Sequence, residues 1–517
     1  MSSRLLLAFL AVFSISILGT LGLRPLYKAD ESRYAEIPRE MVASGDWVTP
    51  RLNGLKYFEK PPLQYWATAA FFSAFGEHDW AARLWSALAA IGGIILVFVS
   101  GKKLFSLEAG TLGALVLAGC PLYVLLAHIN TLDMALSFFL AAAIFAFALG
   151  RYYLFWAACA LAVLSKGLIG IVLPAGAIGL YILAKWDWSL LRRMKIFSGS
   201  VIFLLIAAPW FILVSMRNGE FAHFFFIQEH FQRFTTKMHG RYQPMWFFIP
   251  ILLAGLAPWL LPFFASMRNL FRKQQGFDPG LFLVLWCIVV FVFFSISDSK
   301  LPSYILPMFP ALALLIGRWI AAAQPRRLLV VQAVLAVVAA AAVAAAAPHF
   351  PLGAEYLPWV IGAAALIAIG AAAGAWSAHR GRIALAVALL ALGSFACTLT
   401  ALVAHRTLAP RYSFGSQAGA VPAGARVFAV DFYDHTIPWY LRRTVTMVSY
   451  KDELDVAITW EPDKFIPDLA GFARAWAATP GAYAVFSSQR FEAMQKELNI
   501  PMDVVSHGPR YTLVRKP

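Results

Sequence analysis

Charge is scarce in this chain. Asp, Glu, Lys and Arg make up 14% of its 517 residues, against 60% hydrophobic ones, whereas a soluble globular protein carries nearer a quarter charged. With a mean hydropathy of +0.69, that shortage excludes a soluble globular fold and leaves a polytopic membrane protein. Acids are the scarcer sign, 27 Asp and Glu against 43 Lys and Arg, for a net charge of +16. Cysteine is scarcer still. Cys120, Cys159, Cys287 and Cys397 all fall inside apolar runs, which excludes a disulfide framework and makes them small buried hydrophobes. No repeat of about 20 to 50 residues is visible. No small-residue cleavage site separates the first apolar run from the charged stretch after it, so that run is expected to stay as an uncleaved first span.

What is abundant is apolar sequence of roughly membrane-spanning length. Such runs fall at 4–23, 80–101, 109–127, 132–149, 151–164, 167–184, 196–215, 246–264, 281–296, 303–321, 327–347, 356–375 and 382–404, predicting about thirteen transmembrane helices. With a cytoplasmic N-terminus, the inner loops carry Lys102, Lys103, Arg151, Arg192, Arg193, Arg272, Lys273, Arg326, Arg327 and Arg380, but few acids. This is the asymmetry that positive-inside orientation demands. It accounts for most of the net charge and leaves no call for a nucleic-acid partner.

An odd number of spans puts the C-terminus outside. Three outward segments are large: 24–79, 216–245 and 405–517. The first is rich in aromatics (Trp47, Tyr57, Phe58, Tyr65, Trp66) and suits short helices lying in the membrane interface. Asp30 stands where an N-cap is expected, Tyr34, Ile37 and Met41 have helical spacing, and Pro38 is expected to end or kink that helix. A second helix is expected to begin at Pro61 or Pro62. The last segment has strand-like runs RVFAVDF, TVTMVSY and AYAVFSS, helical patterns near 466–477 and 488–498, and a balanced 13 basic and 11 acidic residues. It reads as a small α/β domain. The division is therefore 1–404, membrane unit including the loops 24–79 and 216–245, and 405–517, an α/β domain on the outer face; the Ala-rich spans from about 327 are expected to be scaffold.

Ionisable groups in or beside spans cost about 2.5 to 3.5 kcal/mol at a helix centre, which makes each a functional candidate. Asp30 and Glu31 at the first span, Glu59 and Lys60 in KYFEKPPLQYW, Asp133 in HINTLDM, Lys166 in LSKGLIG, and Lys300 with Tyr304 in SDSKLPSYILP all map to the outer face in the thirteen-span reading. Lys60 precedes a helix start, and a cation beside a helix N-terminus is a ready anion site; a snorkelling interfacial lysine is the plainer alternative. The loop QEHFQRFTTKMHGRYQP holds Arg233, Lys237, His239 and Arg241, an outward basic surface that suits an anion such as phosphate or lipid head groups. Tyr304 can donate its hydroxyl to an anion or serve in the interfacial belt. Asp133 complements a helix dipole. Lys166, read as opening the sixth span, is unfavourable to the dipole and is expected to pair with an acid or a ligand.

The stretches ADESRYAEIPREMVASGDWVTP, NGLKYFEKPPLQYW, TLDM, LSKG, EHFQRF with HGRYQP, and KLPSYILP, in that order, resemble the polyprenyl-phosphate-dependent GT-C glycosyltransferases related to the lipid A aminoarabinose transferase. The likeness covers most of the first 310 residues. It implies a GT-C membrane fold, and sugar transfer from undecaprenyl phosphate to an acceptor such as lipid A phosphate, at the periplasmic face of a bacterial inner membrane. By that resemblance Asp30 sits at the catalytic centre, with Glu31 and Asp133 beside it in role. Lys60, Arg241 and Tyr304 hold the donor phosphate, and Arg33, Glu59, Lys166 and Lys300 face acceptor or sugar. Glu59 and His239 bind a divalent metal such as zinc, although one Glu and one His are too few for a closed structural zinc site; no obligatory cofactor is expected. The chain is expected to act as a monomer among membrane lipids. Another sugar or acceptor with the same lipid-phosphate donor is the nearest alternative. A lipid-linked substrate transporter or flippase is the alternative of another class, but its discontinuous helices and paired halves are not what these motifs show.

Overall fold

The structure, a computed structural model, describes residues 2–232, 242–267, 276–349, 351 and 353–517. These form two compact units, one of residues 1–20 with 84–404 and one of residues 21–83 with 405–517. The segment 24–79, grouped with the spans in the sequence reading, thus clusters with the C-terminal segment instead. The physical reason is burial. Its helix Asp30–Ser44 has no apolar face long enough to be a span, and nearly every residue of it is covered.

In the first unit all thirteen expected apolar segments appear as helices among the described residues. Seven are long and apolar enough to cross a membrane; two more are bent pairs, Leu107–Ala118 with Pro121–Ala127 and Met245–Gly255 with Ala257–Met267; four are shorter apolar helices. This is a multi-pass membrane protein. Where lipid is as apolar as leucine, helices associate through close backbone approach at small residues. A Cβ at Gly317, in helix Phe309–Ala323, would lie 2.2 Å from the backbone N of Gly113, in Leu107–Ala118, and one at Gly370 would lie 2.6 Å from Cα of Gly393. Lys166 closes the helix Tyr152–Lys166 instead of opening the next one, because Gly167 takes φ of +90° and ends the helix there. A cation in a last turn is favourable to the dipole.

The second unit begins with helix α1 (Asp30–Ser44) and the short strands β1 (Arg51–Leu52) and β2 (Leu55–Lys56). Asp30 is the first helical residue and not its cap: Ala29 occupies the cap position, with no side-chain hydrogen bond. Pro38 lies inside the helix and does not end it; the helix runs six residues further, to Ser44, and stops at Gly45, whose φ is +71°. Between β1 and β2, Asn53 and Gly54 both have positive φ, the requirement of a two-residue type I′ hairpin. Helix α2 (Leu63–Phe75) follows with Pro62 as its cap.

The C-terminal segment contributes β3 (Val427–Val430), β4 (Thr446–Val448), β5 (Phe465–Ile466), β6 (Tyr483–Ser487), β7 (Asp503–His507) and β8 (Tyr511–Arg515), in the order β5-β4-β3-β6-β8-β7. The four strands from β5 to β6 are parallel, and β8 is antiparallel to both β6 and β7. The three runs read as strands became β3, β4 and β6, and the helical patterns became Leu469–Ala478 and Phe491–Leu498. Phe428, Val448, Phe472, Trp476, Phe486 and Phe491 form its core. Asn53 stitches the β1–β2 hairpin to this segment: its amide donates to the Val445 carbonyl at 2.9 Å and accepts from the Val445 N–H at 2.8 Å.

Candidate active site

Helix α1 carries its charges into the interior of the second unit. Arg33 is 4% exposed, so its guanidinium must be fully paired. Its Nε donates to Glu453 Oε1 at 3.1 Å and its Nη2 to Glu453 Oε2, while Nη1 donates to Asp30 Oδ1 at 2.8 Å. His435 Nε2 in turn contacts Glu453 Oε1. Burial by itself would raise the Glu453 carboxyl; the charges of His435 and Arg33 outweigh it and hold the group down at about 2. Asp30 differs from these partners. Its side chain is 37% exposed against 20% for Glu453, so it is the more open carboxylate of the group while a buried cation orients it.

Glu31, the next residue, points the other way. Arg24 donates to its two oxygens at 2.5 and 3.0 Å and Arg83 at 2.8 and 3.1 Å. Arg83 also donates to the carbonyls of Leu21, Arg24 and Pro25 at 2.6 to 2.8 Å. Burial pushes Glu31 up, but the two guanidiniums win and hold it well below the ordinary carboxylate range. Its lone pairs are spent on tying 21–25 and 83 to α1. A third cluster follows one turn on, where Arg39 grips Glu36 through Nε at 2.7 Å and Nη2 at 2.6 Å, and Glu40 accepts from the Gly54 N–H at 2.9 Å. Two carboxylates share one guanidinium in a dry place. Burial first, then the neighbouring Glu40, raises Glu36 to about 8 against the pull of Arg39.

Lys60 lies just before α2, donating to the Glu59 carbonyl at 2.7 Å with the Glu59 carboxylate 3.9 Å away. Both side chains are mostly covered, 14% and 15% exposed. Tyr57, a few residues back, feels Arg33 as well as Glu59. Burial raises the Tyr57 and Tyr65 phenols well above their ordinary value, and neither buried hydroxyl has a hydrogen-bond partner among the described residues.

The first unit has its own polar cluster. Asp133, in the first turn of Leu132–Ala148, forms an ion pair with Lys166, whose ammonium also lies 4.4 Å from the Tyr304 ring centroid. Lys166 therefore has the acidic partner its sequence position called for, though it gets there from a helix end. Lys300 is spent on backbone carbonyls, that of Ser297 in its own loop at 2.5 Å and that of Gln243, 57 residues earlier, at 2.7 Å, which ill suits the acceptor or sugar role expected of it. Arg241 and His239 lie outside the described residues. Among the described residues no three His, Cys, Asp or Glu side chains converge on one point, and Glu59 has an ammonium 3.9 Å away. His239, the expected partner of Glu59 at a metal, lies outside the described residues.

Sequence reasoning missed Arg24, Arg83, His435 and Glu453. Arg83 had a readable signal, a cation at the head of an apolar run. Glu453 and His435 had none, since only the fold brings them to α1.

Comparison with known proteins identifies the family. The aminoarabinose transferase C-terminal domain model matches residues 417–516, and the dolichyl-phosphate-mannose-protein mannosyltransferase model matches 59–213. The undecaprenyl phosphate-alpha-4-amino-4-deoxy-L-arabinose arabinosyl transferase of Aeromonas hydrophila is 34% identical over 313 residues, 57% of this chain; the match spans 56% of that relative's length. The crystal structure of ArnT from Cupriavidus metallidurans bound to undecaprenyl phosphate superposes with a TM-score of 0.92 at 36% identity, covering 98% of this chain and 97% of that one. The archaeal oligosaccharyltransferase AglB from Archaeoglobus fulgidus shares the fold alone, with a TM-score of 0.52 at 12% identity over 95% of this chain and 70% of that one. The chain belongs to the aminoarabinose transferase family of GT-C membrane proteins.

Proposed function

We propose that this chain transfers a sugar, 4-amino-4-deoxy-L-arabinose, from undecaprenyl phosphate to a phosphate of lipid A at the periplasmic face of the inner membrane, acting as a monomer. The observation that carries the reading is the likeness, along 98% of the chain, to a relative whose structure holds undecaprenyl phosphate. In the reaction the bond between the sugar's anomeric carbon and the donor phosphate breaks, the anomeric carbon bonds to an acceptor oxygen, and undecaprenyl phosphate leaves with the electron pair.

Negative charge grows on the leaving phosphate, and fixed cations in a water-poor site stabilise it. Lys60 has that role in this reading, with Arg241 and Tyr304 carrying the same assignment by resemblance. Asp30 is the reacting carboxylate. Toward a hydroxyl acceptor it serves as general base; toward an already ionised phosphate it orients the acceptor and stabilises oxocarbenium-like charge. Arg33, doubly held, orients Asp30. Glu31 is assigned to scaffold, as its two arginines leave it no proton to move. Glu59, and Lys166 with Asp133, are assigned to the sugar, whose amine suits carboxylates.

The match of residues 59–213 to a mannosyltransferase model favours one second reading, the same donor chemistry with another sugar or acceptor. Mass spectrometry of lipid A from cells with and without the gene separates them. Gain of aminoarabinose on lipid A is expected; unchanged lipid A beside an altered envelope glycan selects the second reading.

A further inference from the structure

We infer that Glu453 and His435, on the C-terminal segment, are positioning residues for the transfer, acting on Asp30 through Arg33. The inference rests on the reading of Asp30 given above. A guanidinium is a planar fork of fixed geometry. Glu453 takes one whole edge of it, Nε and Nη2 together, and that bidentate grip sets the plane of the group. The remaining nitrogen, Nη1, is then aimed at Asp30 Oδ1, 2.8 Å away.

Arg33 engages one oxygen of Asp30 and leaves Oδ2 outside the pair, on a side chain open to solvent. His435 closes the chain by holding Glu453 Oε1, the oxygen that also receives Arg33 Nε. Each member further from Asp30 is more deeply covered than Asp30 itself: Arg33 side chain 5%, Glu453 20% and His435 7% exposed against 37%. A surface ion pair would not need such anchoring. A carboxylate that must keep one orientation while facing a lipid-linked substrate does, because a misplacement of about 1 Å costs up to about a hundredfold in rate. The C-terminal segment is on this account part of the machinery for turnover, not a separate recognition module.

The test uses full-length protein in proteoliposomes with the lipid-linked aminoarabinose donor and lipid A. Glu453→Gln keeps shape but presents an amide to Arg33. It is expected to lower kcat about ten- to a hundredfold per folded molecule, with KM for the donor little changed, while the melting temperature falls because a buried guanidinium loses its carboxylate. Glu453→Asp restores most of the rate. Arg33→Lys, which keeps the charge but loses the fork, is expected to show the same kcat loss should Glu453→Gln fold poorly, and the double variant falls no further than Arg33→Lys alone, since the two act as one unit. Wild-type kcat in Glu453→Gln or Arg33→Lys, or a loss that merely equals the fraction unfolded, overturns the inference. Asp30→Asn separates it from the reading beneath. An active Asp30→Asn sinks the role of Asp30, whereas an inactive Asp30→Asn beside fully active Glu453 and Arg33 variants sinks the positioning role alone.

Discussion

Asp30 and Glu31 are neighbours in sequence and opposites in environment, and each predicts its own phenotype. Glu31→Gln leaves two buried guanidiniums facing a neutral amide, and breaking a buried ion network costs about 3 to 5 kcal/mol. Its yield of folded protein in detergent is expected to collapse, by fluorescence-detected size exclusion. Asp30→Asn removes a half-exposed group and is expected to fold and melt like the wild type while losing transfer. Equal folding of both variants would remove the scaffold role of Glu31. Glu36 predicts a pH effect. Its carboxyl rises from 4.5 to about 8 on folding, so the folded state binds the proton more tightly than the unfolded chain does. The stability this contributes is complete below about 4.5 and lost as pH rises through about 8. Melting temperature is expected to fall across that window, with Glu36→Gln flattening the slope.

At the scale of elements, two kinds of contact decide the architecture. In the membrane unit glycines let helices approach backbone to backbone. Gly317→Ala sets a Cβ 2.2 Å from Gly113 N, and because backbone cannot yield as a side chain end does, the helix pair must part. A loss of about 1 to 3 kcal/mol is expected, read as a lower melting temperature, while Gly179→Ala, with nothing within 4 Å of the added carbon, serves as the neutral control. The other contact is the Asn53–Gly54 hairpin, whose turn was readable from the Asn-Gly pair although its two strands are too short to show alternation. Asn53 is read by the fold in a second way, as the amide that completes the hydrogen bonding of Val445.

At the scale of the molecule, the second unit is made of two pieces of chain more than three hundred residues apart in sequence. Asp79 accepts from the Trp439 indole at 3.0 Å and from the Tyr440 hydroxyl at 2.8 Å, and Arg33 depends on Glu453. Ending the chain after residue 404 therefore strips Arg33 and Asp79 of these partners. Such a truncation is expected to expose 24–79 to protease in membranes where the full chain resists, and to abolish transfer. A truncated protein with 24–79 still protected would refute the interdependence.

Hydropathy and charge counting in the sequence were enough to establish the thirteen apolar segments and the α/β character of the tail. Both follow from local periodicity and from the cost of putting charge in lipid. The motifs around Asp30 and Lys60 were likewise legible, because they are long and lie beside spans. What the tertiary structure alone decided is which carboxylate stays open to solvent and which are closed over by partners. Asp30, Glu31, Glu36 and Glu40 look alike in one line of letters, and they are told apart by arginines and a glutamate that arrive from elsewhere in the chain. Whether a buried charge is scaffold or chemistry depends on how many partners close over it, and that count belongs to the fold.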